Sequence, residues 1–302
     1  ALKHIAEGIP AARRGMATGI FIGVLVVGYT GALFYVGGLS TQIGWRWTMA
    51  VVGAAEILAA LVFARGIPAI PRLAERGTPS RYITDVLTNR PALRVIAGYT
   101  AHNWELFGMW GWTAPFMVAL LRARGTGEAS ALTWGGILAA IAVGTGGVGA
   151  AFGGRLSDRI GRARTARALL GMSFLCSAIF GWLFNAPLAL IVAVGLIYGV
   201  VVVADSPCYS ASLMELVPPR SLGGAFSLQM LFGWTVTAIS PAVFGATLDL
   251  TRQIQGGNEM IRWGIAYGVL AVPPLLGIAA LRPLARREGS VIRSNSQMAS
   301  GQ

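Results

Sequence analysis

The chain reads as an all-α polytopic membrane protein with about eight transmembrane helices, and three observations predict this. Of its 302 residues 55% are hydrophobic and only 12% charged, with a mean hydropathy of +0.64, whereas a soluble domain carries about 25% charged residues. The apolar residues come in blocks of about twenty, the length that spans a hydrocarbon core as a helix. The basic residues, finally, segregate by loop. Eight blocks fall at roughly 16–38, 46–64, 94–121, 132–154, 165–184, 187–214, 222–247 and 261–281. Of the 24 Lys and Arg, only Arg46, Arg122, Arg124, Arg252 and Arg262 lie in one set of alternate loops. That asymmetry follows the positive-inside rule. It predicts a plasma (bacterial inner) membrane protein with both ends of this chain cytoplasmic. The net charge of +12 then needs no nucleic-acid partner, because basic loops set orientation and touch anionic lipid headgroups.

Taken in order, residues 1–15 are polar and amphipathic and lead into span 16–38, which is rich in small residues such as Gly19, Gly23, Gly28 and Gly31. Small residues let helix backbones approach closely where lipid offers no hydrophobic drive to associate. Span 46–64 opens on Arg46 and Trp47 and carries Glu56 at its middle, to which no role attaches. Residues 65–93 are basic and hold Pro68, Pro71, Pro79 and Pro91, so they read as a connector between two bundles. Six spans fill 94–281, and the tail 282–302 is polar, basic and expected to be disordered. The predicted organisation is therefore the remainder of one bundle at 1–64, a cytoplasmic connector at 65–93, a six-helix bundle at 94–281 and a cytoplasmic tail at 282–302.

The chain also repeats itself. Glu7, Pro10, Gly15 and Ala17 recur at one common offset as Glu215, Pro218, Gly223 and Ala225, each set running directly into an apolar span. The following spans again start alike, at Arg46-Trp47 and Arg262-Trp263. Internal repeats of this kind mark transporter folds built from two halves. Four spans lie between residue 64 and the second copy, so the repeating unit has six. The sequence is therefore expected to be the C-terminal part of a twelve-helix protein, helices 5–12 of a 6+6 architecture.

Span 94–121 carries the most informative residues. His102, Asn103 and Glu105 sit near its middle, where an ionised side chain costs roughly 2.5–3.5 kcal/mol on insertion scales and survives only facing a cavity or a partner. Helical spacing is expected to put His102, Glu105, Met109 and Trp112 on one face. Imidazole is also the side-chain type best suited to passing protons near neutral pH. Span 187–214 holds a second acid, Asp205, with Tyr209 four residues on and hence on the same face. Pro207 between them removes a backbone bond and predicts a bend. These six residues, His102, Asn103, Glu105, Trp112, Asp205 and Tyr209, are the candidate substrate or proton pathway; packing alone is the simpler alternative for each.

Other motifs assign less. Gly144, Gly146 and Gly149 spell G-x-G-x-x-G, but a dinucleotide loop needs a preceding strand, and here the glycines read as helix contacts. His4 and His102 have no partner at metal-ligand spacing, and no Ser-His-Asp or Cys-His arrangement can be built. Cys176 and Cys208 both fall inside spans and read as small buried hydrophobes. No cofactor, metal or enzymatic reaction is predicted. The implied partners are a small-molecule or ion substrate and the lipid bilayer, and the oligomeric state is left open.

Span 132–154 ends in GGRLSDRIGRAR. Gly154, Asp158, Arg159, Gly161, Arg162 and Arg164 match the loop motif G-x-x-x-D-R-x-G-R-x-R of the major facilitator superfamily, and the chain resembles that family over essentially its whole length. The resemblance implies a secondary transporter that moves a small solute by alternating access, coupled to protons, with the seventh and tenth helices (94–121 and 187–214) lining the cavity. Gly154, Asp158, Arg159, Gly161 and Arg162 would form a conformational latch through charge-assisted hydrogen bonds. The fifth-helix region, GYTGALFYVGG, carries Tyr29 where drug antiporters of the family have proline, so the substrate class stays open. A different reading is a truncated, non-transporting membrane protein or interaction module. Coding sequence upstream for four further apolar helices would favour the transporter.

Overall fold

The computed structural model describes residues 2–66, 84–255 and 258–300. Among them the elements are α1 (Leu2–Gly8), α2 (Ala11–Ile43), α3 (Trp45–Gly66), α4 (Arg90–Ala123), α5 (Glu128–Gly144), α6 (Gly146–Ile160), α7 (Arg162–Phe180), α8 (Leu188–Ala204), α9 (Ser206–Leu216), α10 (Leu222–Gln255) and α11 (Glu259–Ser300). Every expected span is helical. Most of the connector expected at 65–93 lies outside the described residues.

Among the described residues, seven stretches are long and apolar enough to cross a bilayer. The eighth expected span, α4, falls short of that apolarity because its tryptophans, glycines and polar residues face the protein interior rather than lipid. It is nonetheless 34 residues long, about 50 Å at the helical rise, and packs along α5, α10 and α11. Its start is fixed by Asn89, whose side chain accepts from the Ala92 N–H at 3.0 Å, with Pro91 in the first turn. Its end is fixed by Gly125 at φ +82°. The Gly125 N–H bonds the Arg122 carbonyl at 2.9 Å and the Thr126 N–H bonds the Leu121 carbonyl at 3.1 Å, the paired closure that a left-handed residue permits.

The G-x-G-x-x-G stretch is helix contact, on two faces of α6. A Cβ at Gly154 would run into the Gly15 backbone, and one at Gly19 into Ala150, so α2 and α6 meet nearly backbone to backbone. On the other face, Gly149 and Gly153 press against the carbonyls of Val200 and Ala204 on α8. Two elements are thus held against α6 by van der Waals contact that no larger residue permits.

Two breaks matter for the site. Span 187–214 divides at Asp205, where α8 ends and α9 begins with Pro207 in its first turn, as the proline predicts. The tail differs from expectation: instead of disorder after Arg282, α11 runs on to Ser300. Leu281, Leu284 and Ala285 are buried in a core cluster with Val95, Ala163 and Ala166, and that apolar anchoring carries the helix past the polar composition. Glu56 stands exposed on α3, and nothing in the structure explains it.

Candidate functional site

The GGRLSDRIGRAR segment folds into a charged knot joining α2, α6, α7, α9 and α11. The Asp158 carboxylate accepts from the Gly15 and Met16 N–H groups, each at 2.9 Å, and from the Arg162 guanidinium. Arg162 also donates to Ser157 Oγ at 2.9 Å, to the Ala11 carbonyl at 2.8 Å and to Glu215 Oε1 at 2.9 Å. One guanidinium therefore ties the start of α2 to the end of α9, using the fork of donors that suits arginine to such a junction. Gly161 sits between α6 and α7 at φ +102°, a region open essentially to glycine. A Cβ there would also lie 2.5 Å from Glu288 Oε2. Glu288, on α11, accepts from the Ala163 and Arg164 N–H groups at 2.9 and 3.0 Å and so caps the start of α7.

Deeper in the fold a cavity of about 210 Å³ opens between α2, α4, the α8–α9 break and α10. Aromatic rings from Phe21, Tyr99, Phe107, Trp110 and Trp234 line much of it, and its polar wall is His102, Asn103, Ser206 and Ser210. Trp110 stacks on Tyr29 with ring centroids 4.5 Å apart, while its indole N–H has no partner among the described residues.

Behind that wall lies a buried network. His102 Nδ1 is 2.9 Å from Asp205 Oδ1, His102 Nε2 is 2.7 Å from Ser206 Oγ, and the Tyr209 hydroxyl donates to Asp205 Oδ2 at 2.7 Å. His102, Asp205 and Tyr209 are each no more than 1% exposed. Asp205 and Ser206 stand at the junction where α8 ends and α9 begins, and both meet His102 of α4 there. The 2.9 Å approach of Nδ1 to Asp205 Oδ1 is a close charge contact without hydrogen-bond alignment. A hydroxyl can donate or accept by rotating, so the Ser206 contact at Nε2 suits either tautomer of the ring.

The Major Facilitator Superfamily pattern matches residues 1–241. The chain belongs to the major facilitator superfamily. It is a multi-pass membrane protein of a transport family. Its fold is similar to a solved bacterial homologue of the human lysosomal transporter Spinster, captured inward-facing and unoccupied, with a TM-score of 0.50 at 17% identity over 91% of this chain and 68% of that one. No curated protein matches.

In this major facilitator chain the predicted residues divide. His102, Asp205 and Tyr209 come together, and His102 and Asn103 reach the cavity wall. Asn103 also donates to the Tyr99 carbonyl at 2.9 Å. The cavity-facing stripe of α4 is Tyr99, His102, Asn103, Leu106, Phe107 and Trp110, not the expected 102, 105, 109 and 112. Glu105 lies behind it, wholly buried, accepting from Ser173 Oγ at 2.8 Å. Trp112 is likewise outside the wall: it donates to the Pro241 carbonyl at 2.8 Å and stacks on Phe244 at 5.0 Å. Both sets follow alternating three- and four-residue steps and differ in phase: at about 100° per residue, the stripe through 99, 103, 106 and 110 is turned by about one residue from that through 102, 105, 109 and 112. In the knot, Gly154, Asp158, Gly161 and Arg162 take part, and Arg159 is exposed at its edge. Sequence reasoning missed Ser206 and Glu288; only the kink signal at Pro207 pointed near the first of them.

Proposed function

We propose that this protein is a secondary active transporter that moves a small solute across the membrane by alternating access, coupled to protons through His102 and Asp205. The observation that carries this reading is the buried His102–Asp205–Tyr209–Ser206 network directly behind a solute-sized, aromatic cavity. Ionisable groups at such depth are costly and concentrate at transport pathways. The aromatic lining with few polar groups suits an amphipathic organic solute bearing a hydrogen-bond acceptor, which the free Trp110 indole N–H and the Asn103 amide would meet.

The knot at Asp158 acts as the latch of the cycle. With it closed, α2 and α6 are held in backbone contact at that end, and releasing it lets the two helices part. The excess of basic residues in the loops at this end supports a cytoplasmic side for it, and on that reading the latch closes the inner face of the pathway. Cells expressing the protein should show solute flux that collapses when an uncoupler dissipates the proton gradient. Flux that persists, or that is unchanged by Asp205→Asn, would contradict the coupling assignment.

A further inference from the structure

A groove of about 490 Å³ runs between α4, α10 and α11. It follows α4 from Leu93 to Trp104, with Phe232 of α10 and Leu276 of α11, both exposed, among its walls. Among the described residues no other element lines it, and it shares no residue with the solute cavity. Its polar side chains already have partners. Thr100 donates to the Ile96 carbonyl at 2.9 Å, and the Trp104 indole donates to the Val269 carbonyl at 3.3 Å. A polar group entering the groove would therefore lose its hydration and gain nothing in return, so the fitting occupant is apolar along its length.

Dimensions and charge narrow the choice. From Leu93 to Trp104 is about 16 Å at the helical rise, and one leaflet of the hydrocarbon core is about 15 Å thick. Spread over that length, the groove volume gives a channel about 6 Å wide, too narrow for a partner helix about 10 Å across and wide enough for one hydrocarbon chain. Arg90 and Arg94 precede Leu93 and Ala97 by three residues on α4 and so share the groove's side of that helix. Among the described residues neither arginine pairs with an acid. This end of α4 is the latch end, where Val95 and Ile96 pack with Ala163 and Leu284. We propose that the groove holds one acyl chain of an anionic phospholipid from the leaflet at the latch end, with its phosphate met by Arg90 and Arg94. Basic pockets between transmembrane helices suit such headgroups. The lipid would join α4, α10 and α11 from outside the solute pathway, and the site does not rest on the transport reading.

The test is thermal unfolding of the delipidated, detergent-purified protein, titrated with phosphatidylglycerol or with phosphatidylcholine of the same acyl chains. The wild type should gain Tm saturably with phosphatidylglycerol and need several-fold more phosphatidylcholine for the same gain. Ala97→Phe, which fills the groove, should lose the increment. Arg94→Gln should raise the half-saturating phosphatidylglycerol concentration several-fold. Equal gains from the two lipids, no gain from phosphatidylglycerol, or the wild-type gain kept in both variants would overturn the proposal. If Ala97→Phe does not fold, phosphatidylglycerol with brominated chains, which quench indole fluorescence on contact, supplies the second measurement. Quenching of the wild type should contain a saturable component that Trp104→Phe lacks, and identical quenching curves would overturn the proposal equally.

Discussion

Asp158→Asn is the sharpest probe of the latch. The carboxylate accepts two backbone N–H groups from α2 and the Arg162 guanidinium, and its side chain and that of Arg162 are 9% and 7% exposed. Asparagine keeps one acceptor oxygen and presents an NH₂ where the other stood. One α2 amide is left facing a donor, and Arg162 loses a charged partner, keeping Glu215. Breaking one side of a buried pair costs about 3–5 kcal/mol. The lower end of that range shifts the closed-to-open ratio roughly 150-fold, enough to move a closed majority to an open one. Spin labels at Ala12 on α2 and Arg159 on α6, both exposed, read the separation of the two helices by pulsed electron resonance. The wild type should give one short distance, and Asp158→Asn a second, longer population that dominates. A distribution indistinguishable from wild type would refute the latch reasoning.

Further substitutions test other joints. Gly161→Ala should lower the detergent-state Tm, since a side chain at that φ is strained by about 1–3 kcal/mol and also displaces Glu288; Gly223→Ala, with nothing near its Cβ, should leave Tm unchanged. Gly153→Leu, which drives a side chain into the Ala204 backbone, should prevent recovery of folded protein as judged by size-exclusion chromatography, whereas Gly268→Leu, in open space, should not. Trp104→Phe should cost about 1 kcal/mol by orphaning a half-buried acceptor. Pro273 has no N–H to give the Val269 carbonyl, and the Trp104 indole supplies that bond at 3.3 Å; a drop in Tm with the fold retained by circular dichroism is the check.

Much of the fold was legible because its signals are local. Apolar block length, loop charge and the proline before a span's end depend on neighbours in sequence, and each expected span is found as helix. The site was legible in its residue types, not in its geometry. Asp205 and Tyr209 are four apart and met as expected, but the partner that joins them, His102, reaches them only through the packing of α4 on the α8–α9 break. Glu105 was placed on the cavity face by three-residue spacing, and the true stripe is set by which side of α4 meets α2 and α10. Glu288 was hidden altogether: it lies in a segment whose composition reads as disordered, and its capping of α7 spans 125 residues of sequence.

Proton movement accompanying solute is the most direct measurement of the coupling assignment. Proteoliposomes carrying a trapped pH-sensitive dye are given a solute that quenches Trp110 fluorescence. In the wild type, solute entry should change the lumenal pH, and in Asp205→Asn the solute should still bind while the pH trace stays flat. Solute entry without a pH change in the wild type, or the same pH change in Asp205→Asn, would contradict the account.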